Sequence, residues 1–303
     1  MSHWLEDGIH QGLADMDVEE ALAAQSKHFG EKGEWQKGVI SPSLVSVSCR
    51  LQRVKIFLGL NPVPGAPPRM AMRAGRPDSV SLLNMVRGFD AEGLLLEALR
   101  RSYPEHVIDA APKFEVNFFD HDTGYRYAGH PDVFMRLPKD GAGVGFVQIK
   151  SVTGFKMDRI LRKGDQDALD TYLPQMATEL YIGRRNGLEL AESNLLLLSW
   201  EGTPKSSRPR IKAITLPWED SLATIPEVAA EQIHDDAARA LMFNIWPEAL
   251  PATSWDVWPC SYCRFARLGD LDVPACDDHE KWRSNDSATD DPGGRRYTEI
   301  RLA

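Results

Sequence analysis

Between residues 44 and 58 the apolar positions Leu44, Val47, Leu51, Val54 and Leu58 recur at steps of three and four, the period of one buried helical face. Ser41 stands before them as a cap and Pro42 at the first helical position, so one helix is expected over SPSLVSVSCRLQRVKIFLGL, the longer period outweighing the local V-S-V-S alternation. Upstream, Val18 to Phe29 predicts another helix, followed by the polar turn GEKGEWQKG. NPVPGAPPRMAMRAGRP is a Pro/Gly-rich loop, placed to act as a lid or a substrate-facing strap. A long helix is expected from Ser79 to Tyr103, ended by Pro104, with Leu82, Met85, Phe89, Leu96, Leu99 and Tyr103 on one stripe. Strand-like segments follow: KFEVNFF, then YRYAGHPDVFMRL across the turn DHDTG, as a hairpin feeding a third strand, GFVQIKSV. Asp165 to Arg185 is helical despite the internal Pro174, NLLLLSW and PRIKAITL are strands, and Glu219 to Phe243 is mostly helix. The tail from Asp277, rich in Asp, Ser and Gly, is expected to be poorly ordered beyond its first residues.

Four residues break this pattern. In GFVQIKSV, residues two apart share a face, so Gln148 and Lys150 point the same way as Phe146 while Val147 and Ile149 pack the other side. Glu92 interrupts the apolar stripe of the long helix, where a buried carboxylate costs several kcal/mol unless it is compensated. Asp132, in AGHPDVF, follows Pro131, which marks a bulge or an edge. Brought together, these side chains offer oxygen ligands and one ammonium. Such a set suits Mg²⁺ or Mn²⁺, and the matching chemistry is metal-assisted phosphodiester hydrolysis.

Composition changes this picture only at its margins. The chain has 303 residues and a formal charge of −9, which argues against coating nucleic acid nonspecifically but allows a local basic groove. Lys156, Arg159, Arg162 and Lys163 cluster after the Gln-Lys strand, with further basic residues at Arg184, Arg185 and KSSRPRIK. No apolar run is long enough to span a membrane, and MSHWLEDGIH lacks the regions of a signal peptide, so a cytosolic setting is expected. No GxxxxGK[ST] appears, so any ATP-driven helicase would be a separate partner.

The order of acid on a helix, Pro131-Asp132 on a strand, and Gln148-Ile149-Lys150 on the next resembles the PD-(D/E)XK nuclease superfamily. VRGFDAE, ending in Glu92, is similar to the RG-x3-E helix of phage-type and RecB-like exonucleases, and YLPQMATELY to their Gln-x3-Tyr helix. Here Gln175 is present, Glu179 occupies the tyrosine position, Tyr172 shares the helical face and Tyr181 is displaced. The resemblance implies an α/β, restriction-endonuclease-like core, a central mixed β-sheet flanked by helices. It implies an N-terminal helical region over 1–78, the nuclease core over 79–216, a helical and cysteine-bearing region over 217–276, and a tail over 277–303. The implied activity is a metal-dependent deoxyribonuclease, an exonuclease at single-stranded or duplex DNA ends. Glu92, Asp132 and Gln148 would be metal ligands with the Ile149 carbonyl, Lys150 would position or activate water, and Tyr172, Gln175, Lys156 and Arg159 would contact substrate. A recombination, helicase or CRISPR-adaptation protein, and self-association, fit the same family. Glutamate is expected where Gln148 stands, which leaves open a scaffold that grips DNA ends with weak or no cleavage.

All four cysteines are accounted for by one further motif. Cys260, Cys263 and Cys276 fall in WPCSYCRFARLGDLDVPAC and Cys49 stands apart, a set able to hold tetrahedral Zn²⁺ or an iron-sulfur cluster; spacing does not distinguish the two. One cysteine before the core and three after resembles the iron-sulfur staple of RecB-like nucleases, of the AddB and Cas-four types. A 4Fe-4S cluster tying an N-/C-terminal helical lobe is therefore implied, although Cys263 to Cys276 is wider than the staple's usual gap.

Overall fold

A computed structural model describes residues 3–16, 19, 37–59, 79–110, 115–138, 143–199 and 210–247, with the side chains of 79–90 and 167 excepted. The chain forms two compact units. The larger comprises α1 (Trp4–Ala14), the segment Val39–Ser46 and residues Asn84–Val228.

Its centre is a five-stranded mixed sheet in the order β1-β4-β5-β6-β7, built from β1 (Val107–Ala110), β4 (Val133–Arg136), β5 (Val144–Ser151), β6 (Leu190–Ser199) and β7 (Arg210–Pro217). β5 and β6 are parallel and every other neighbouring pair is antiparallel. The parallel pair requires a return crossover, supplied by α5 (Gly154–Lys163) and α6 (Asp165–Arg185). β2 (Val116–Phe119) and β3 (Arg126–Gly129) make a separate two-stranded sheet.

Helices cover both faces of the mixed sheet. On one face Val147 and Ile149 pack with Val133, Met135, Leu196 and Leu198 beneath Leu95 and Leu99 of α4 (Ser79–Ser102) and Leu5 and Ile9 of α1. On the other, Leu195, Leu197 and Ile214 meet Met157 and Ile160 of α5 and Met176 of α6. Gln148 pairs in register with Leu195 and Lys150 with Leu197, so both side chains belong to the α5/α6 face, as period two requires.

α6 approaches that face closely. A Cβ on Gly183 would collide with Leu190 and stand 2.9 Å from Phe146 Cζ, so glycine is what lets the helix settle onto β5 and β6.

The expected helices over 79–103 and 165–185 and the strands over 145–152, 194–200 and 209–216 are present within a residue or a few. The single helix over 41–58 is not. Ser41 does cap, accepting from the Leu44 amide, but α2 (Pro42–Val45) ends after four residues and α3 (Arg50–Phe57) restarts beyond extended Cys49. Ser46 donates to the Ser43 carbonyl, and the serines and β-branched valines between favour this local bonding over helix continuation. The segment 125–137 also divides, because Pro131 cannot donate and Asp132 turns into its own contacts; β3 and β4 therefore lie in different sheets rather than in one hairpin-fed sheet. β1, α1 and α5 were not expected, and the helix expected from Glu219 opens as a 3₁₀ turn, Asp220–Ala223, before α7 (Thr224–Phe243). The helix expected at Val18 to Phe29, the Pro/Gly-rich loop and the tail from Asp277 lie outside the described residues.

The second compact unit includes α3 and α7 from Ala229 onward, joined by a bidentate Arg50–Asp236 pair, with Nη2 2.6 Å from Oδ1 and Nε 3.0 Å from Oδ2. Phe57 meets His234 edge to face nearby. Among the described residues no helix is long and apolar enough to cross a membrane.

Gly183→Ala should lower stability by about 1–3 kcal/mol in urea unfolding, the range for forcing a methyl into a packed core; an unchanged midpoint would show that α6 does not need this contact.

Candidate active site

The break at Pro131 leaves Asp132 at the start of β4, one step beyond the last ladder pair, Val133 with Val147. Its Oδ2 accepts a 2.6 Å bond from the Ile149 amide and a 2.8 Å bond from Gln148 Nε2. A side-chain oxygen thus takes the donor that another strand residue would have satisfied, and both contacts are charge-assisted. Bonding through its NH₂ turns the Gln148 amide so that Oε1 faces away from Asp132. That oxygen is buried with no hydrogen-bond partner, on a side chain only 3% exposed. Leaving such an acceptor unmet costs about 1–3 kcal/mol, so the position has a reason other than stability.

Lys150 Nζ stands 4.0 Å from Asp132 Oδ2, with 24% of its side chain exposed. Burial pulls its pKa down, but the charges of Asp132, Glu92 and Glu179 together outweigh burial and raise it above the ordinary lysine value, so the ammonium stays protonated.

Glu92 lies half-buried on α4, whose apolar residues cover the opposite face, and its carboxylate acts on Lys150 through space. Gln175 Nε2 donates to Glu179 Oε1 at 3.1 Å. Lys156 Nζ donates to the Tyr172 hydroxyl at 2.9 Å and lies 4.5 Å from its ring centre, which ties the start of α5 to α6. Arg159 sits half-buried on α5. Tyr181 belongs elsewhere: it packs against Phe118 and Tyr127 beneath the β2–β3 sheet, and burial pushes its hydroxyl up to about 12.

Glu179 was noted in the sequence only as a departure from a tyrosine position, and no role was assigned to it. It is 1% exposed, and Oε2 is buried without a partner. Burial pushes its carboxyl up to about 8, opposed by Lys150, reinforced by Asp132 and opposed again by the Gln175 bond. The signal for it was an acid inside the apolar run MATELYIG, four residues after Gln175.

A divalent cation fits the donor set in one respect: the unpartnered Gln148 Oε1 beside Asp132 is an oxygen of the type that Mg²⁺ and Mn²⁺ accept. Among the described residues no three His, Cys, Asp or Glu side chains form a group able to hold a metal by themselves. Of the four cysteines, only Cys49 lies among the described residues; it is buried and stands at the N-cap of α3. Cys260, Cys263 and Cys276 lie outside them, so the cluster expected there has no counterpart among the described residues.

No family model matches the chain, and no curated protein matches it. Solved structures similar to it include an alkaline exonuclease, LHK-Exo, from Laribacter hongkongensis, at 13% identity and a TM-score of 0.40, covering 75% of this chain and 96% of the other. SSO0001 is similar at 14% identity and a TM-score of 0.40, over 84% and 95% of the two chains. LHK-Exo in complex with dAMP gives 14% identity and a TM-score of 0.34, over 67% and 93%. What the chain itself displays is an α/β fold with a central mixed sheet flanked by helices, carrying Asp132, Gln148, Lys150 and Glu179 at the β4–β5–α6 junction.

Without divalent cations, the folded chain should hold a proton on Glu179 that the unfolded chain releases between the ordinary value of 4.5 and about 8. Stability from this group is therefore present at the acidic end and falls as pH rises through that window. Urea midpoints across the window should fall less in Glu179→Gln than in the parent; equal slopes would show that the carboxyl is not held protonated.

Proposed function

We propose that the chain is a metal-dependent deoxyribonuclease that hydrolyses phosphodiester bonds at DNA ends. The observation that carries this reading is the Asp132–Gln148–Lys150 arrangement, a fixed carboxylate, an unpartnered buried amide oxygen and a protonated ammonium on one strand junction. Asp132, Gln148, Glu92 and the Ile149 carbonyl would hold Mg²⁺ or Mn²⁺, which when bound would polarise a phosphate oxygen and make water a better nucleophile. Lys150 orients the attacking water or meets the charge that develops on the phosphate, and its raised pKa keeps it cationic for that task. Lys156 and Tyr172, already bonded to each other, present a cation and a phenol to the substrate strand beside the site, with Gln175 and Arg159 alongside. Hydrolysis from an end is part of the same proposal and rests on the motif resemblance.

The cysteines extend the reading to an iron-sulfur cluster held by Cys49, Cys260, Cys263 and Cys276, with zinc as the competing occupant. The Arg50–Asp236 pair supports the joining of N- and C-terminal helical regions that such a cluster would reinforce. Brown colour with visible charge-transfer absorbance after anaerobic purification is the expected result; a colourless protein with stoichiometric zinc would reverse the assignment.

Asp132→Ala and Lys150→Ala should each reduce Mg²⁺- or Mn²⁺-dependent degradation of end-labelled DNA by at least about a hundredfold, the scale of losing a group that stabilises transition-state charge. Undiminished cleavage by both variants would end the proposal. A parent protein that binds DNA ends and cleaves with neither metal would favour the scaffold reading, which the neutral Gln148 motivates.

A further inference from the structure

We propose that Glu179 supplies the acidic metal ligand that Gln148 does not, so that the cation site is shared between strand β5 and helix α6. The inference rests on the nuclease reading and goes beyond it by naming a ligand outside the strand motif.

Placement comes first. β5 and β6 are parallel, so α6, the last element before β6, runs back against the direction of β5. Gly183 fixes the alignment, because its Cα faces the Phe146 ring. Moving four residues toward the start of α6 covers about 6 Å. Moving two residues along β5 covers about 6.7 Å. The step from Gly183 to Glu179 therefore matches the step from Phe146 to Gln148, and the next, to Gln175, matches Lys150. Glu179 consequently stands over the polar pair, on the face that β5 turns toward α6.

The bonding of the two side chains is complementary. Gln148 spends its donor on Asp132 and leaves Oε1 buried without a partner. Glu179 receives Gln175 on Oε1 and leaves Oε2 buried without a partner. Two acceptor oxygens on facing elements, both shielded from water, cannot satisfy each other once Glu179 is ionised. A divalent cation satisfies both. Lys150 acts on Glu179 as an opposite charge and Asp132 as a like charge, so the Glu179 carboxyl lies close to both. An amide on the strand brings no negative charge to a cation. A carboxylate one element away restores it while using the same face, with Asp132 as the second acid.

The test uses the full-length protein and Mn²⁺ alone as probe, titrated calorimetrically and followed by the electron paramagnetic resonance of free Mn²⁺. Variants are Asp132→Ala, Glu179→Gln and the exchange Gln148→Glu with Glu179→Gln, each checked by far-ultraviolet circular dichroism and metal-free melting. Glu179→Gln should stay folded and bind Mn²⁺ at least about tenfold more weakly, the lower bound for losing even a group that only supports a ligand. The exchange variant should recover most of that loss, because the charge returns to the strand. Parent-like Mn²⁺ affinity in Glu179→Gln, or an exchange variant no tighter than it, overturns the inference. If Asp132→Ala weakens binding while Glu179→Gln does not, the nuclease reading stands and only the role of Glu179 falls. If Asp132→Ala binds as the parent does, or the parent binds no Mn²⁺, both fall together.

Discussion

One oxygen organises the larger unit's polar centre. Asp132 Oδ2 accepts from the Ile149 backbone and from the Gln148 side chain, and these two bonds decide where β4 begins, how the Gln148 amide is turned and where the carboxylate stands relative to Lys150. Pro131 makes the substitution possible by removing a backbone donor at the position where the strand would otherwise have continued. The orphaned Gln148 Oε1 follows directly: an amide that gives its hydrogens to a carboxylate must aim its oxygen somewhere else, and here that direction is buried.

A polar centre of this kind is tolerable because β5 is anchored from behind. Val147 and Ile149 are fully packed against α4 and α1, and apolar burial of this sort contributes about 1.5–3 kcal/mol per large side chain. The strand's alternation separates the two tasks, with one face holding the sheet to its helices and the other left for Gln148 and Lys150. α5 and α6 then close the second face through Met157, Ile160 and Met176, leaving the polar residues bounded by apolar neighbours. Loss of water pushes the Glu179 carboxyl up, whereas at Lys150 the opposing pull of burial is outweighed by the neighbouring acidic charges.

Much of this arrangement was legible in the chain. α4, α6, β5, β6 and β7 carry long periods, and the facing of Gln148 with Lys150 follows from period two alone. The elements that escaped are short or depend on partners elsewhere. β1 has four residues, two of them exposed, so it shows no burial pattern of its own. α5 was read as a cluster of basic charge, although Met157 and Ile160 hold the helical step that buries it. The divisions at Ser46–Cys49 and at His130–Asp132 come from local side-chain bonding, which competes with a periodic signal without erasing it. For the candidate site, motif order pointed to Asp132 and Lys150, which the fold places 4.0 Å apart; Glu179 stood out only as a mismatch, since its surroundings depend on how far α6 slides along β5.

That sliding distance is set by Gly183 rather than by any residue of the site. Without a Cβ, the helix settles where a methyl at 183 would strike Leu190 and Phe146, and this close approach sets the level of the residues upstream on that face. Because one helical turn and two strand residues advance by nearly the same length, the match persists over two turns before drifting apart. A functional group lost from β5 can therefore be replaced from α6 without moving either element, provided the new side chain is long enough to reach. Glutamate at 179 meets that condition, whereas a tyrosine there would bring length and a hydroxyl but no negative charge at neutral pH. The proposed sharing of a cation between Gln148 and Glu179 thus rests on packing geometry, which brings their two unpartnered oxygens to facing elements.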